Sequence, residues 1–535
     1  MKTMIHLATK LCLLFAPISL AFAQGSLTPP GAPAATMKTL DQLDAKLEKR
    51  TPISALPFTI SAPGAFYVTS NLTTSVGGNG ITISASGVTL DLNGFELVGN
   101  GSPGLFGIRV SASRTNVTIR NGTVRSWTGS GVVTENTAVS GVRVESVRAL
   151  GNGSAGIALG IGCVVIDCLA SGNVANGIST SGDSLVLRCT STGNTPSGDG
   201  IQVGTRCAVR ECVATGNSGD GIQTGDSCEI SSCSVSGNTG TGVFTTNGCG
   251  LRDCVADGNG GIGFQCGTAS GAIGCTATDN GGAGFSFGNN ARLSQCTASS
   301  NTGNGITTAA GATVHACMAA LNTASGIVGG AGSVVADSSA ASNLGTSGIV
   351  VGTDGVVRGC TVEANTSSAA NSQGISGGSG SLIVHCSVGS TTSTAALTAS
   401  TGMGIAVLGG STVEACNVRG NTGDGIRGTS NCRIVGNVCD SNGAIGGDGA
   451  GIHVTSVRNR IDGNHCTSND RGIDVDANIN TIVRNTASAN TVNYDLAASN
   501  SVGPIVIPAN SNAINTNVAL PSSLGTTDPW ANFSE

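Results

Sequence analysis

The side chains best suited to chemistry are sparse and lie late in the chain. Arg427, His453 and Asp474 each follow a Gly-Ile pair, in Gly-Ile-Arg, Gly-Ile-His and Gly-Ile-Asp, and Asp476 stands two residues beyond Asp474. A cation, a base and two carboxylates on one face support lyase or hydrolase chemistry. Arg427 would neutralise an acidic substrate group, and His453, or Asp474 with Asp476, would move the proton. The same residues also suit a solvated polar face near the end of a sheet, where charge protects an open edge. Asp199 and Asp220 form a second constellation, each directly before Gly-Ile. Placed one above the other, and with Asn176 and main-chain carbonyls, they could share a calcium ion. An Asp-Gly turn needs no metal, so both readings stay open. His315, His385 and His465 are scattered and have no evident partner in the sequence.

What must position these residues is a repeat of about 21 residues. Taking the apolar residue after glycine as position zero, it recurs at Ile157, Ile178, Ile201, Ile222, Val243 and onward to Ile473. Longer steps precede Ile375, Ile405 and Ile452, where Ser/Thr/Gly-rich segments are inserted. Within the copy ATGNSGDGIQTGDSCEISSCSVSGN, the pairs Ile222 and Thr224, Cys228 and Ile230, and Cys233 and Val235 alternate with polar residues. That is strand spacing, with each pair pointing one way. Three short strands per copy, separated by Gly, Asn, Asp and Ser, make a three-sided coil. One coil cannot bury its face alone, so coils must stack. The expected fold is an all-β, right-handed parallel β-helix.

Two columns follow from the period. Asn217, Asn238 and Asn259 fall at one corner of successive coils, where stacked amides can bond up and down a ladder. Cysteines such as Cys228 and Cys233 fall at inward positions and read as columns of small buried side chains, with some disulfides between neighbouring coils left open. Zinc needs ligands that converge, which parallel columns do not provide.

Composition agrees with a solenoid. The 535 residues include 83 glycines, with 3% aromatic and 10% charged residues. A net charge of −6 gives no footprint for nucleic acid. Lys2 and Lys10 precede an apolar stretch ending in Ala21-Phe22-Ala23, which reads as a secretory signal peptide over 1–23. No later segment is long and apolar enough to span a bilayer. The expected location is extracellular, cell-surface or periplasmic. Residues 24–57 are expected to hold a linker and a capping helix, on whose face lie Leu40, Leu43 and Leu47. The β-helix is expected over 58–498. An extended tail over 499–535 would be anchored by Trp530 and Phe533.

The segments FTISAPGAFYVTSNL (58–72), VTLDLNGFEL (88–97) and NVTIRNGTV (116–124), with the repeated Gly-Asn and Gly-Ile, resemble exported bacterial right-handed parallel β-helix repeat proteins of the pectate-lyase-like superfamily. That resemblance implies polysaccharide as partner, held on the outer face of one strand stack. Three functional expectations follow. The first is a binding or structural module that contacts glycan through its outer polar face. The others are a polysaccharide lyase or glycoside hydrolase built on Arg427, His453, Asp474 and Asp476, and an adhesin-like surface protein.

Overall fold

The structure, a computed structural model, describes residues 50–75, 77–101, 105–136, 139–369, 371–394, 401–443, 449–507, 514–516 and 528–535. The signal peptide and the capping helix expected before residue 50 lie outside these residues. The chain is an all-β parallel solenoid of about 20 turns, with no helix among the described residues.

Each coil contributes three strands. In the coil that starts at Ile222 these are Ile222–Thr224, Glu229–Ser231 and Ser234–Ser236. Every one pairs in parallel with its equivalent in the next coil: Ile222 with Val243, Ile230 with Leu251, Val235 with Ala256. The side chains expected to point inward do so. Ile222, Thr224, Cys228, Ile230, Cys233 and Val235 are all buried. The position-zero column is isoleucine-rich and admits Phe264 and Phe285, whose rings stack 5.0 Å apart. Each such side chain contributes about 2 kcal/mol of burial.

The corners explain the cysteines more sharply than burial alone. Cys228 follows Ser227 and Cys233 follows Ser232, both in the left-handed region at φ 59° and 53°. Just past this bend a main-chain N–H points along the solenoid axis. The N–H of Cys207 donates to Sγ of Cys228 at 3.3 Å, and that of Cys228 to Sγ of Cys249 at 3.4 Å. Ser184 and Ser270 occupy the same column and accept in the same way, at 3.1 and 3.2 Å. Nearer the C-terminus asparagine replaces cysteine. Cys416 donates its N–H to Asn437, and Cys432 donates to Asn459. Thus the columns are corner acceptors as well as core filler. The 19 described cysteines are free and buried.

The expected asparagine ladder is present. Asn217 Nδ2 donates to Asn238 Oδ1 at 2.9 Å, and Asn238 Nδ2 to Asn259 Oδ1 at 2.9 Å. Two further ladders run through Asn437, Asn464 and Asn485 and through Asn459 and Asn480.

Both expected solenoid boundaries shift. The first strand is Thr51–Ile53, which pairs with Gly64–Val68, so regular pairing begins before residue 58. At the other end, Ser501–Val502 continues the second-strand sheet and Asn532–Ser534 closes the third. Trp530 and Phe533 are exposed in part, yet the Arg484 guanidinium lies over the Trp530 ring, 5.3 Å from its centroid, and Phe533 pairs in register with Thr486. Between them Asn532 accepts from Asn485 Nδ2 at 3.1 Å and becomes the last rung of that ladder. A polar ladder satisfies an open strand edge that an aromatic side chain could only cover. In the inserted segments, Thr366–Ser367 pairs with Thr392–Ser393, so two of the insertions stack on one another.

Candidate functional site

The outward row of the first-strand sheet places the sequence-predicted residues on consecutive rungs. Ala406, Arg427, His453, Asp474 and Asp495 are register partners from coil to coil. Asp476 lies just past the strand end, on the same side. The four expected residues therefore come together in one cluster, and three others join them.

His453 sits at its centre. Its Nδ1 lies 2.9 Å from Oδ2 of Asp424, and its Nε2 lies 2.9 Å from Oδ2 of Asp476 and 3.9 Å from Oδ2 of Asp474. The imidazole side chain is 5% exposed and Asp424 is 0% exposed. Burial works against charge on His453, but Asp424, Asp474 and Asp476 outweigh it and push the pKa up to about 9. At neutral pH the ring is an imidazolium that donates from both nitrogens. Asp474 is buried, which pushes its pKa up to about 6, while His453 and Arg471 pull the other way. Asp476 differs in that 54% of its side chain is exposed. Of the three carboxyl groups around this histidine, Asp474 and Asp476 thus face its Nε2 from different environments.

Cations close the cluster on either side. Arg427 Nη1 lies 3.8 Å from Asp424 Oδ2. Arg471 reaches Asp474 at 3.0 Å and Asp495 at 3.1 Å. Asp424, Arg471 and Asp495 were not among the expected site residues. Asp424 reads in sequence as a turn residue. Asp495 was hidden because its coil starts at Tyr494, an aromatic residue after asparagine rather than an aliphatic one after glycine. The period alone, counted 21 residues on from Ile473, would have found it.

Two grooves lie on this same face. One, of about 350 Å³, is lined by Gln373, Ser376, Ala406, Leu408, Arg427 and Thr429 and so runs up to the cluster. The other, of about 620 Å³, lies several coils toward the N-terminus and is lined by Gln202, Thr205, Gln223, Phe244 and Thr246. There Asn176 Nδ2 donates to Gln202 Oε1 at 2.8 Å and Gln202 Nε2 to Gln223 Oε1 at 2.6 Å.

Ligand atoms of His453, Asp474 and Asp476 lie within 4.8 Å of one another, close enough to hold one metal ion. Asp199 and Asp220 are arranged differently. Oδ1 of Asp199 accepts the N–H of Asp220 at 2.8 Å, and Oδ1 of Asp220 accepts the N–H of Thr241 at 2.7 Å. Asn176 accepts the N–H of Asp199 in the same manner. These three are rungs of one turn ladder. Burial raises the pKa of both aspartates.

A family model described as a right handed beta helix region matches residues 130–273 and 176–317. No curated protein matches the chain. Among solved structures, the pectate lyase Pel9A is 17% identical over 42% of this chain and 71% of its own, with a TM-score of 0.28. The Dettilon tailspike protein gp208 is 14% identical over 50% of this chain and 59% of its own, with a TM-score of 0.27. The A-module of the Azotobacter vinelandii mannuronan C-5 epimerase AlgE6 is 13% identical over 79% of this chain and 90% of its own, with a TM-score of 0.25. Coil-on-coil parallel pairing and the family model matched over 130–317 agree on the fold, a right-handed parallel β-solenoid.

Proposed function

We propose that the protein is an exported β-helix that contacts glycan along the outer face of its first-strand sheet. One observation carries this reading: both grooves and the charged cluster lie on that single face. The linked amides of Asn176, Gln202 and Gln223 are held in place, and they offer donors and acceptors to sugar hydroxyls. Phe244 beside them offers an apolar surface for a sugar ring. No helix among the described residues is long and apolar enough to cross a membrane. Export rests on the signal-like segment at 1–23. The test is titration with neutral and acidic oligosaccharides, repeated on the Gln202→Ala/Gln223→Ala variant. Binding that weakens in the variant supports the reading.

The convergence around His453 favours a second reading, a polysaccharide lyase or glycoside hydrolase acting on an acidic polymer. His453 is charged and uses both nitrogens, so it serves as a fixed imidazolium that holds Asp476 toward solvent. Asp476 would take the proton as base. Asp474, kept partly protonated by burial, would return one as acid, the division of labour that unequal carboxyl environments allow. Arg427 would pair with the substrate carboxylate. Unsaturated or reducing-end products from an acidic polysaccharide, lost in Asp476→Asn, would establish this activity.

Calcium at Asp199 and Asp220 stays a proposal beside these. A drop in thermal midpoint on adding chelator, absent from Asp199→Asn, would support it.

A further inference from the structure

The second-strand face carries a feature that the fold does not require. Its outward row runs in register through Glu229, Gly250, Gly271, Arg292, Thr313 and Val334. Gly250 and Gly271 stand on adjacent coils of this row. Neither has a left-handed backbone; a Cβ built at Gly250 meets nothing within 4 Å, whereas one at Gly271 comes 3.3 Å from the main-chain oxygen of Arg292. Valine is accommodated in the same row at Val334. Glycine inside a strand weakens it, so backbone geometry accounts for Gly271 in part and does not account for Gly250.

What the glycines create is a groove of about 810 Å³ floored by bare backbone. Glu229 and Arg292 stand at its ends, with Arg252, Ile273 and His315 alongside. Glu229 is already paired with Arg210 at 2.6 Å, and His315 lies 3.4 Å from Asp337. Among the described residues no carboxylate pairs with Arg252 or Arg292. Two uncompensated guanidinium groups therefore flank an open floor, in a protein of net charge −6.

The geometry points to a second binding site, for a uronate unit of an acidic polysaccharide, with the sugar ring over Gly250 and Gly271 and its carboxylate held by Arg252 and Arg292. Guanidinium forks match carboxylate geometry. Bare backbone lets a flat ring approach more closely than any side chain would allow, and Ile273, 39% exposed, gives it an apolar flank. This face is separate from the first-strand face, so the site does not depend on the function proposed above.

Calorimetric titration of the whole mature chain with a hexuronate trimer, and with the neutral hexose trimer of the same linkage, tests this. Uronate binding should exceed neutral binding and weaken with added salt. The Arg252→Ala/Arg292→Ala variant should lose at least about tenfold in affinity. Gly250→Val should lose as much by filling the floor, with an unchanged thermal midpoint. The titrations are run in an Arg427→Ala background, which removes the uronate contact proposed for the first-strand face. Absence of uronate binding overturns the proposal. So does binding that survives the Arg252/Arg292 and Gly250 variants in that background.

Discussion

Nδ1 of His453 lies 2.9 Å from Oδ2 of Asp424, a side chain with no exposed surface, although 29 residues of chain separate the two. Coil stacking makes this contact, and it decides the charge of the ring. The folded pKa of about 9 exceeds the ordinary histidine value of about 6.5. Stability from this group is therefore fully present below about pH 6.5 and lost as pH rises through about 9. The difference is on the order of 3 kcal/mol. Buried thiols titrate in the unfolded chain over part of the same window, so the comparison with His453→Gln isolates the effect. Thermal midpoints measured from about pH 6 to about pH 10 should fall more steeply in the native protein than in the variant. Equal slopes would mean that His453 does not carry the charge.

Asp474 and Asp476 face one histidine, but only Asp474 is buried. If the cluster turns over an acidic polysaccharide, Asp476→Asn should lower kcat by about 100-fold or more, since it removes the solvent-facing base. Asp474→Asn should remove the alkaline limb of the pH–rate profile, which in the native protein reflects an acid titrating near 6. A profile unchanged in Asp474→Asn would reassign the acid.

Cys228 accepts the N–H of Cys207 in a column that serine also fills. Cys228→Ser should therefore change stability by less than about 1 kcal/mol, whereas Cys228→Ala should cost about 1–3 kcal/mol by leaving a buried N–H without its acceptor. Equilibrium unfolding in urea separates the two. A thiol count in denaturant should come near the 19 cysteines found free, and a count near one would mean that the columns are cross-linked.

Asn238 donates to Asn259 and accepts both the N–H and the Nδ2 of Asn217. Asn238→Ala removes the rung and leaves buried partners on both sides, for an expected loss of about 2–4 kcal/mol. Asn176→Ala, in the part-buried turn ladder, should cost less than half as much.

Most of the fold is legible in the sequence because the solenoid repeats its constraints. Position zero, the inward pairs and the Asn217–Asn238 ladder all follow from one period, and each coil repeats the same reading. The ends were not legible. Thr51–Ile53 precedes the first recognisable repeat, and Asn532 enters a ladder from a segment with no period of its own. Trp530 reads as an anchor and packs against Arg484, while Asn532 and Ser534 add closing hydrogen bonds that no period marks. For the site, Arg427, His453, Asp474 and Asp476 were found because they share a strand row or its immediate end. Asp424 and Arg471 were missed because they stand two residues before position zero. Asp424 lies in the turn and Arg471 opens the strand Arg471–Val475, and both reach the row only once the coils are stacked. The groove over Gly250 and Gly271 left no sequence signal, since glycine is common everywhere in this chain.

Glycan contact on the outer face of the first-strand sheet is tested by saturation-transfer NMR on the protein with a panel of neutral and acidic oligosaccharides, comparing the native chain with a variant carrying Gln202→Ala, Gln223→Ala and Arg427→Ala. Transfer to at least one oligosaccharide is expected, and it should be lost in the triple variant while the thermal midpoint holds. No transfer to any member of the panel, or transfer undiminished in the variant, would contradict it.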